Sequence, residues 1–343
     1  MNHPASLVRT DIGKLMKFSG PLTRFCRLLT IPLLAVAWYL LPANLSAAQQ
    51  GEAQQTFNSP DEAVAALKAA VAAKDQTALI QLFGPDFHDL ATGDAVQDAN
   101  NAKRFAALMA QSCELVNEGE DKIILQIGPN DWPMPIPLVK ADGQWHFDTT
   151  AGEEEIINRH VGKDELHAIG VCRVYVTAQR QYADENPDGG AGTKFSQHFK
   201  SAPGKKDGLY WPTAENEPPS PFGSLVAKAE AEGYVLHARG TGPHPFHGYY
   251  FRVLKGQGEA APGGKMTYLH EGNMTGGFAL VAYPVDWGQS GVMTFIVNQD
   301  GKVYQRNFGE ETSQLAAALK EYNPTSKWTL VQDEGVLRAT SDR

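Results

Sequence analysis

Three runs of apolar, β-branched and aromatic residues, at 278–283, 292–298 and 303–308, are separated by turn residues, and the last two are joined through Asp300-Gly301. Asp-Gly between such runs marks a tight hairpin, because both residue types tolerate the positive φ that strand twist demands. The block therefore predicts an antiparallel meander. A strand over 247–254 is predicted before it, and a helix over 310–321 and a last strand over 327–332 after it. Upstream, the hydrophobic spacing becomes helical. Residues 153–184 predict one long helix, with Val161, Ala168, Ile169, Cys172, Tyr175, Val176 and Tyr182 inward and Arg173, Thr177 and Arg180 outward. Glu153, Glu154 and Glu155 crowd its start, where acids suit the helix dipole. An irregular stretch, 193–221, and a helix over 221–232 lead on to the strands.

The first half opens on Ser59-Pro60-Asp61-Glu62. Ser59 is a cap, Pro60 sits where a missing N–H costs nothing, and Glu62 completes a capping box. A helix to Lys74, a short one over 78–83 and a long one over 99–117 are predicted. The last has Phe105, Leu108, Met109, Ser112, Cys113 and Val116 at helical spacing. Strands are predicted over 122–127, 136–140 and 144–148. The fold class is α+β: a helix-and-antiparallel-sheet domain over 59–150, then a long helix packed on a meander over 151–334. Residues 49–58 and 335–343 read as tails.

Lys14, Lys17, Arg24 and Arg27 precede a short apolar run, 28–41, that contains Pro32, and Ser46-Ala47-Ala48 follows. That order is the order of a secretory signal, with cleavage expected after Ala48 and Met16 as an alternative start. The run falls short of the roughly 20 residues of a membrane span. The mature chain is thus expected in the periplasm or outside the cell. Export removes Cys26 and leaves Cys113 and Cys172, both placed on apolar helix faces. A disulfide between them and two separate buried thiols both stay open. Acids outnumber bases, 39 to 30, and the signs are interspersed, which excludes the basic stripe of a nucleic-acid binder.

The helix at 165–182, feeding an irregular loop and then the hairpin at 298–304, resembles the globular part of type IV pilins and pseudopilins. More closely, the helix together with 207–212, 247–252, 277–284 and 291–297 resembles an exported bacterial family catalogued as domain of unknown function 2950. That resemblance implies export and supplies no reaction. The N-terminal half is similar to a small cone of the nuclear-transport-factor-two type. Gly20-Pro21 after the basic leader lacks the apolar helix with an early Glu that pilin assembly needs, so polymerisation is not implied.

His237, His244, His247 and His270 form the densest histidine neighbourhood and are the candidate ligands for zinc or copper. Against this, His247 reads as the start of a strand packed on Tyr249. Gly288-Gln289-Ser290-Gly291 joins two strands, unlike a nucleophile elbow. Gly256-Gln257-Gly258 is followed by Pro262, which forbids the helix of a dinucleotide site. Tyr210, Trp211 and Trp287 are candidate partner-binding aromatics, with anchoring of a long loop as the ordinary reading. Arg173, Arg180 and Arg252 are a candidate anion pocket. The expectation is a non-catalytic exported protein, with no cofactor, that binds an envelope protein or glycan. A metal-dependent hydrolase using the 237–270 region, and an assembly factor with an apolar cavity in the cone, are the alternatives.

Overall fold

The computed structural model describes residues 54–234 and 245–332. The expected leader, His237, His244 and the C-terminal tail lie outside the described residues. All described residues belong to one compact unit, Gln50–Arg343.

Helix α1 (Pro60–Ala73) starts as its sequence demands: Ser59 Oγ accepts from the Glu62 N–H at 3.3 Å, and Glu62 reaches back to the Asn58 N–H. Helices α2 (Gln76–Phe83) and α3 (Ala95–Gln111) follow. The helix expected to run on to 117 stops at Ser112, whose backbone turns extended. Cys113–Asn117 is instead strand β1, paired antiparallel with β2 (Lys122–Ile127). The residues that fit a helical stripe also fit alternation: Cys113 and Leu115 pack inward, while Glu114 and Val116 are exposed. The neighbouring strand decides between the two periods. Strands β3 (Trp132–Pro133), β4 (Leu138–Ala141) and β5 (Gln144–Phe147) complete an antiparallel sheet ordered β1-β2-β4-β5, with β3 also on β2. Its buried face, with Leu125, Ile127, Leu138 and Phe147 fully buried, shares one core with Leu67, Leu82 and Met109 of the three helices.

Helix α4 (Thr149–Glu185) has 37 residues, so it is about 55 Å long. Its first turns belong to the first core. Thr149 donates to the Phe83 carbonyl at 2.6 Å, and Ile136 lies so close to Gly152 that a Cβ there would meet it at 2.3 Å. From Ala168 onward the same helix serves a second core, with Cys172, Tyr175, Val176 and Tyr182 buried. That core is closed by a second sheet of β6 (Tyr249–Leu254), β7 (Ala279–Pro284), β8 (Met293–Asn298), β9 (Tyr304–Asn307) and β10 (Thr329–Leu330). Every pair is antiparallel and spatial order follows chain order. Gly301, at φ +76°, turns the hairpin between β8 and β9.

Helix α5 (Gly223–Glu232) packs Val226 and Ala229 inward. The helix expected over 310–321 is shorter, α6 (Thr312–Ala318), where Leu319 turns extended and Arg252 donates to the Ala316 and Leu319 carbonyls at 2.9 and 2.7 Å. The chain is α+β. Among the described residues, no helix is long and apolar enough to cross a membrane.

Candidate metal centre

Between its two core-facing stretches, α4 presents His160, Asp164 and His167, at i, i+4 and i+7 on one stripe. His160 and Asp164 are buried and His167 is half-buried. A tight turn brings a third imidazole to them. Phe246 and Tyr249 exchange backbone hydrogen bonds at 2.9 and 3.2 Å, so His247 and Gly248 are the central pair of a two-residue hairpin. Their φ values, +45° and +67°, are those of a type I′ turn. Glycine is at ease there. Histidine is not, and backbone strain of this kind is held in place by the surroundings. A Cβ at Gly248 would stand 2.3 Å from Asp164 Oδ2 and 2.8 Å from Ser290 Cβ. Only glycine lets the turn press against the helix.

His247 lies with its ring centroid 3.9 Å from that of His167. Its Nε2 is 2.9 Å from Oε2 of Glu232, the last residue of α5, and His160 Nε2 is 3.3 Å from Asp164 Oδ2. By distance these are ion pairs. By geometry they are not hydrogen bonds: Asp164 Oδ2, His160 Nε2, His167 Nδ1 and Glu232 Oε2 are buried atoms without a hydrogen-bond partner among the described residues. Burial decides between the two readings. It lowers His160, takes His167 down to about 3 with His247 beside it adding to the effect, and takes His247 down to about 4 with Lys163 adding. Burial also raises Asp164 to about 7, against the hydrogen bond from Gln97. The imidazoles therefore carry lone pairs rather than charge at neutral pH.

The tautomer of His247 follows from its neighbour. Tyr234 donates its one hydroxyl hydrogen to Asp94 Oδ2 at 2.7 Å, so towards His247 Nδ1, at 3.2 Å, it accepts. Nδ1 bears the hydrogen and Nε2 the lone pair. Asp94 is an acid that burial pushes up, but the Tyr234 hydroxyl and the Gln97 and Val96 N–H groups bring it below the ordinary carboxylate range.

Asp164, His167 and His247 each offer one donor atom within 4.8 Å of the others. Around a zinc-type ion with bonds of about 2.0–2.2 Å, neighbouring donors stand about 3–3.5 Å apart. The flanking contacts of 2.9 and 3.3 Å are on that scale. Imidazoles with carboxylates suit zinc, copper or nickel better than calcium or magnesium, which prefer oxygen alone.

Of the histidines singled out from sequence, His247 is in the cluster, but in a turn, not at the start of a strand. His270 is exposed, paired across a small hairpin with Asn273, and not a member of the cluster. Cys113 and Cys172 are free thiols in separate cores, so no bridge joins them. Trp211 is buried with the Lys206 ammonium 5.5 Å from its ring centre, and Tyr210 is half-buried on the same core. Trp287 is half-buried and donates to Asn307 Oδ1 at 3.0 Å. Arg252 donates to carbonyls at the end of α6 and Arg180 to the Gln299 carbonyl at 2.8 Å, and Arg173 is half-buried on α4.

Sequence reasoning missed His160, Asp164, His167, Glu232 and Tyr234. The spacing of the first three was a readable signal, since i, i+4, i+7 aligns donors on one helix face. Glu232 and Tyr234 had no such signal. No curated protein and no solved structure matches the chain. Across residues 54–331, which take in both cores and every donor named above, the chain matches the family described as Protein of unknown function (DUF2950), and it belongs to that family.

Proposed function

We propose that this chain is an exported, non-catalytic binding scaffold organised around a structural metal centre of the zinc type. One observation carries the reading: buried donors of Asp164, His167 and His247 converge within 4.8 Å, and unpartnered atoms of His160 and Glu232 flank them. Leaving buried polar groups unpaired costs about 1–3 kcal/mol each. A cation that accepts their lone pairs removes that cost. Asp164, His167 and His247 alone are the three donors that a catalytic zinc keeps beside its open position; the structural role rests on His160 or Glu232, each within 3.3 Å of one of them, closing on the ion as a fourth ligand. A groove of about 450 Å³, lined by Met293, Gln305, Arg306, Asn307, Lys327 and Thr329, contains none of the donor residues. Export rests on the signal-like order of residues 1–48, and it leaves the scaffold's loops to meet an envelope protein or glycan.

The test is elemental analysis of untagged protein purified without chelator, alongside Asp164→Asn. About one equivalent of zinc, copper or nickel in the wild type and a loss in the variant is expected. Metal-free wild type that takes up none of these ions at micromolar concentration would remove the proposal.

A further inference from the structure

The metal donors lie on α4 between its two core-facing stretches, at the end of α5 and in the turn before β6, and helix α3 of the first core reaches across to them. Helix α3 packs Met109, Phe105 and Leu108 into the first core. Its opening turns face the other way. Gln97, 3% exposed, donates from Nε2 to Asp164 Oδ1 at 2.8 Å. That bond fixes the carboxylate so that Oδ2 is the oxygen left towards the cluster. Asp94 caps α3, with Oδ1 accepting from the Val96 and Gln97 N–H groups at 3.0 Å each, and its Oδ2 holds the Tyr234 hydroxyl that fixes the His247 tautomer. Asn100 Nδ2 donates to the Glu232 carbonyl at 2.8 Å. Two turns of one helix thus touch all three segments that bring donors: α4, the end of α5, and, through Tyr234, the His247 turn.

We infer that the metal centre is a clasp between the two cores, in which Asp94 and Gln97 of α3 are positioning residues for donors they never share. The inference rests on the metal reading above and goes beyond it, because it says that occupancy and the seating of α3 are one equilibrium. Partners that orient metal ligands are worth about 10–100-fold in affinity. Coupling of this kind is reciprocal: what seats α3 tightens the metal, and the metal tightens α3 by the same factor. A metal held by the second core alone would be indifferent to α3.

The experiment measures zinc affinity by chelator competition, and the visible absorption of the cobalt(II) form, for wild type, Tyr234→Phe, Gln97→Leu and Asp94→Asn. Asp94→Asn keeps a residue that caps helices as well as aspartate does, so it separates a loss of capping from a loss of orientation. Hydrogen exchange across 95–111 is followed with and without zinc. Tyr234→Phe and Gln97→Leu are expected to bind zinc 10–100-fold more weakly and to shift the cobalt bands, with Asp94→Asn between them and the wild type. Zinc is expected to slow exchange at the start of α3. Wild-type zinc binding with all three variants within twofold, unchanged cobalt spectra and no response in α3 would overturn the clasp while leaving the metal site standing. Absence of zinc uptake by the wild type would overturn both.

Discussion

Gln179 and Asp164 sit on the same helix, about four turns apart, and both are wholly buried. Around Gln179 every polar atom is used. Its Nε2 donates to Tyr175 Oη and the Ser196 carbonyl at 3.0 and 2.7 Å, and its Oε1 accepts from the Ser196 N–H at 2.8 Å. Around Asp164 one oxygen, two imidazole nitrogens and a second carboxylate oxygen have no hydrogen-bond partner among the described residues. The same fold that satisfies one buried polar side chain completely leaves a whole neighbourhood short of hydrogens. Deficits in native proteins are few and call for a cause. Here the shortage is local: the four atoms lie together beside a turn whose histidine sits at positive φ.

The two regions should respond differently to damage and to metal. The largest expected effect lies in the apolar core that the second sheet closes. Phe295 is fully buried on β8 among Tyr249 and its neighbours. Phe295→Ala should cost about 3–5 kcal/mol, through lost burial and the cavity left behind. Chemical denaturation should give that cost with zinc and with chelator alike. A cost that appears only in one of the two conditions would mean the regions are not separable.

The next effect belongs to the unsatisfied region. At a free zinc concentration about a thousandfold above its dissociation constant, the folded state should gain about 4 kcal/mol. For a chain of this size that is a rise in melting temperature on the order of 10 °C. Calorimetry of metal-free protein titrated with zinc checks it. Gly248→Ala should abolish the rise, since its Cβ would fall 2.3 Å from Asp164 Oδ2 at a φ that alanine avoids. A zinc response that survives this change would place the metal somewhere other than against the His247 turn.

The contrast also explains which parts could be read from the sequence. Ser59-Pro60 and the apolar stripe through Tyr175 are local signals whose helices stand where expected, while Asp300-Gly301 does join β8 to β9 but not tightly: seven residues separate the last pair, Ile296 and Tyr304, and only Gly301 takes positive φ. Cys113–Asn117 was ambiguous because five residues can satisfy both periods until β2 supplies hydrogen bonds. The donor cluster failed for another reason. Apolar periodicity marks a buried face only where that face is apolar, so a stripe drawn through Val161 and Ala168 passes over His160, Asp164 and His167. Their partners come from α5 and from the turn before β6, brought near by the second core and not by any spacing.

The smallest effect is the sharpest test, because its sign differs between the regions. Gln179→Leu removes the amide that Ser196 and Tyr175 depend on and strands a buried N–H and carbonyl, for an expected loss of about 1–3 kcal/mol. Asp164→Asn does the reverse in metal-free protein. The amide keeps an oxygen for the Gln97 hydrogen bond and offers an N–H to His160 Nε2, 3.3 Å from the Asp164 oxygen it replaces, where the wild type makes no hydrogen bond. It also removes an acid whose charged form burial disfavours. Metal-free Asp164→Asn should therefore be as stable as the wild type or about 1 kcal/mol more stable, while losing the zinc gain altogether. Denaturant midpoints measured in chelator decide it. If Asp164→Asn instead falls as far as Gln179→Leu, then Asp164 is an ordinary structural acid paired with a protonated His160, and the two stretches of α4 obey one rule after all.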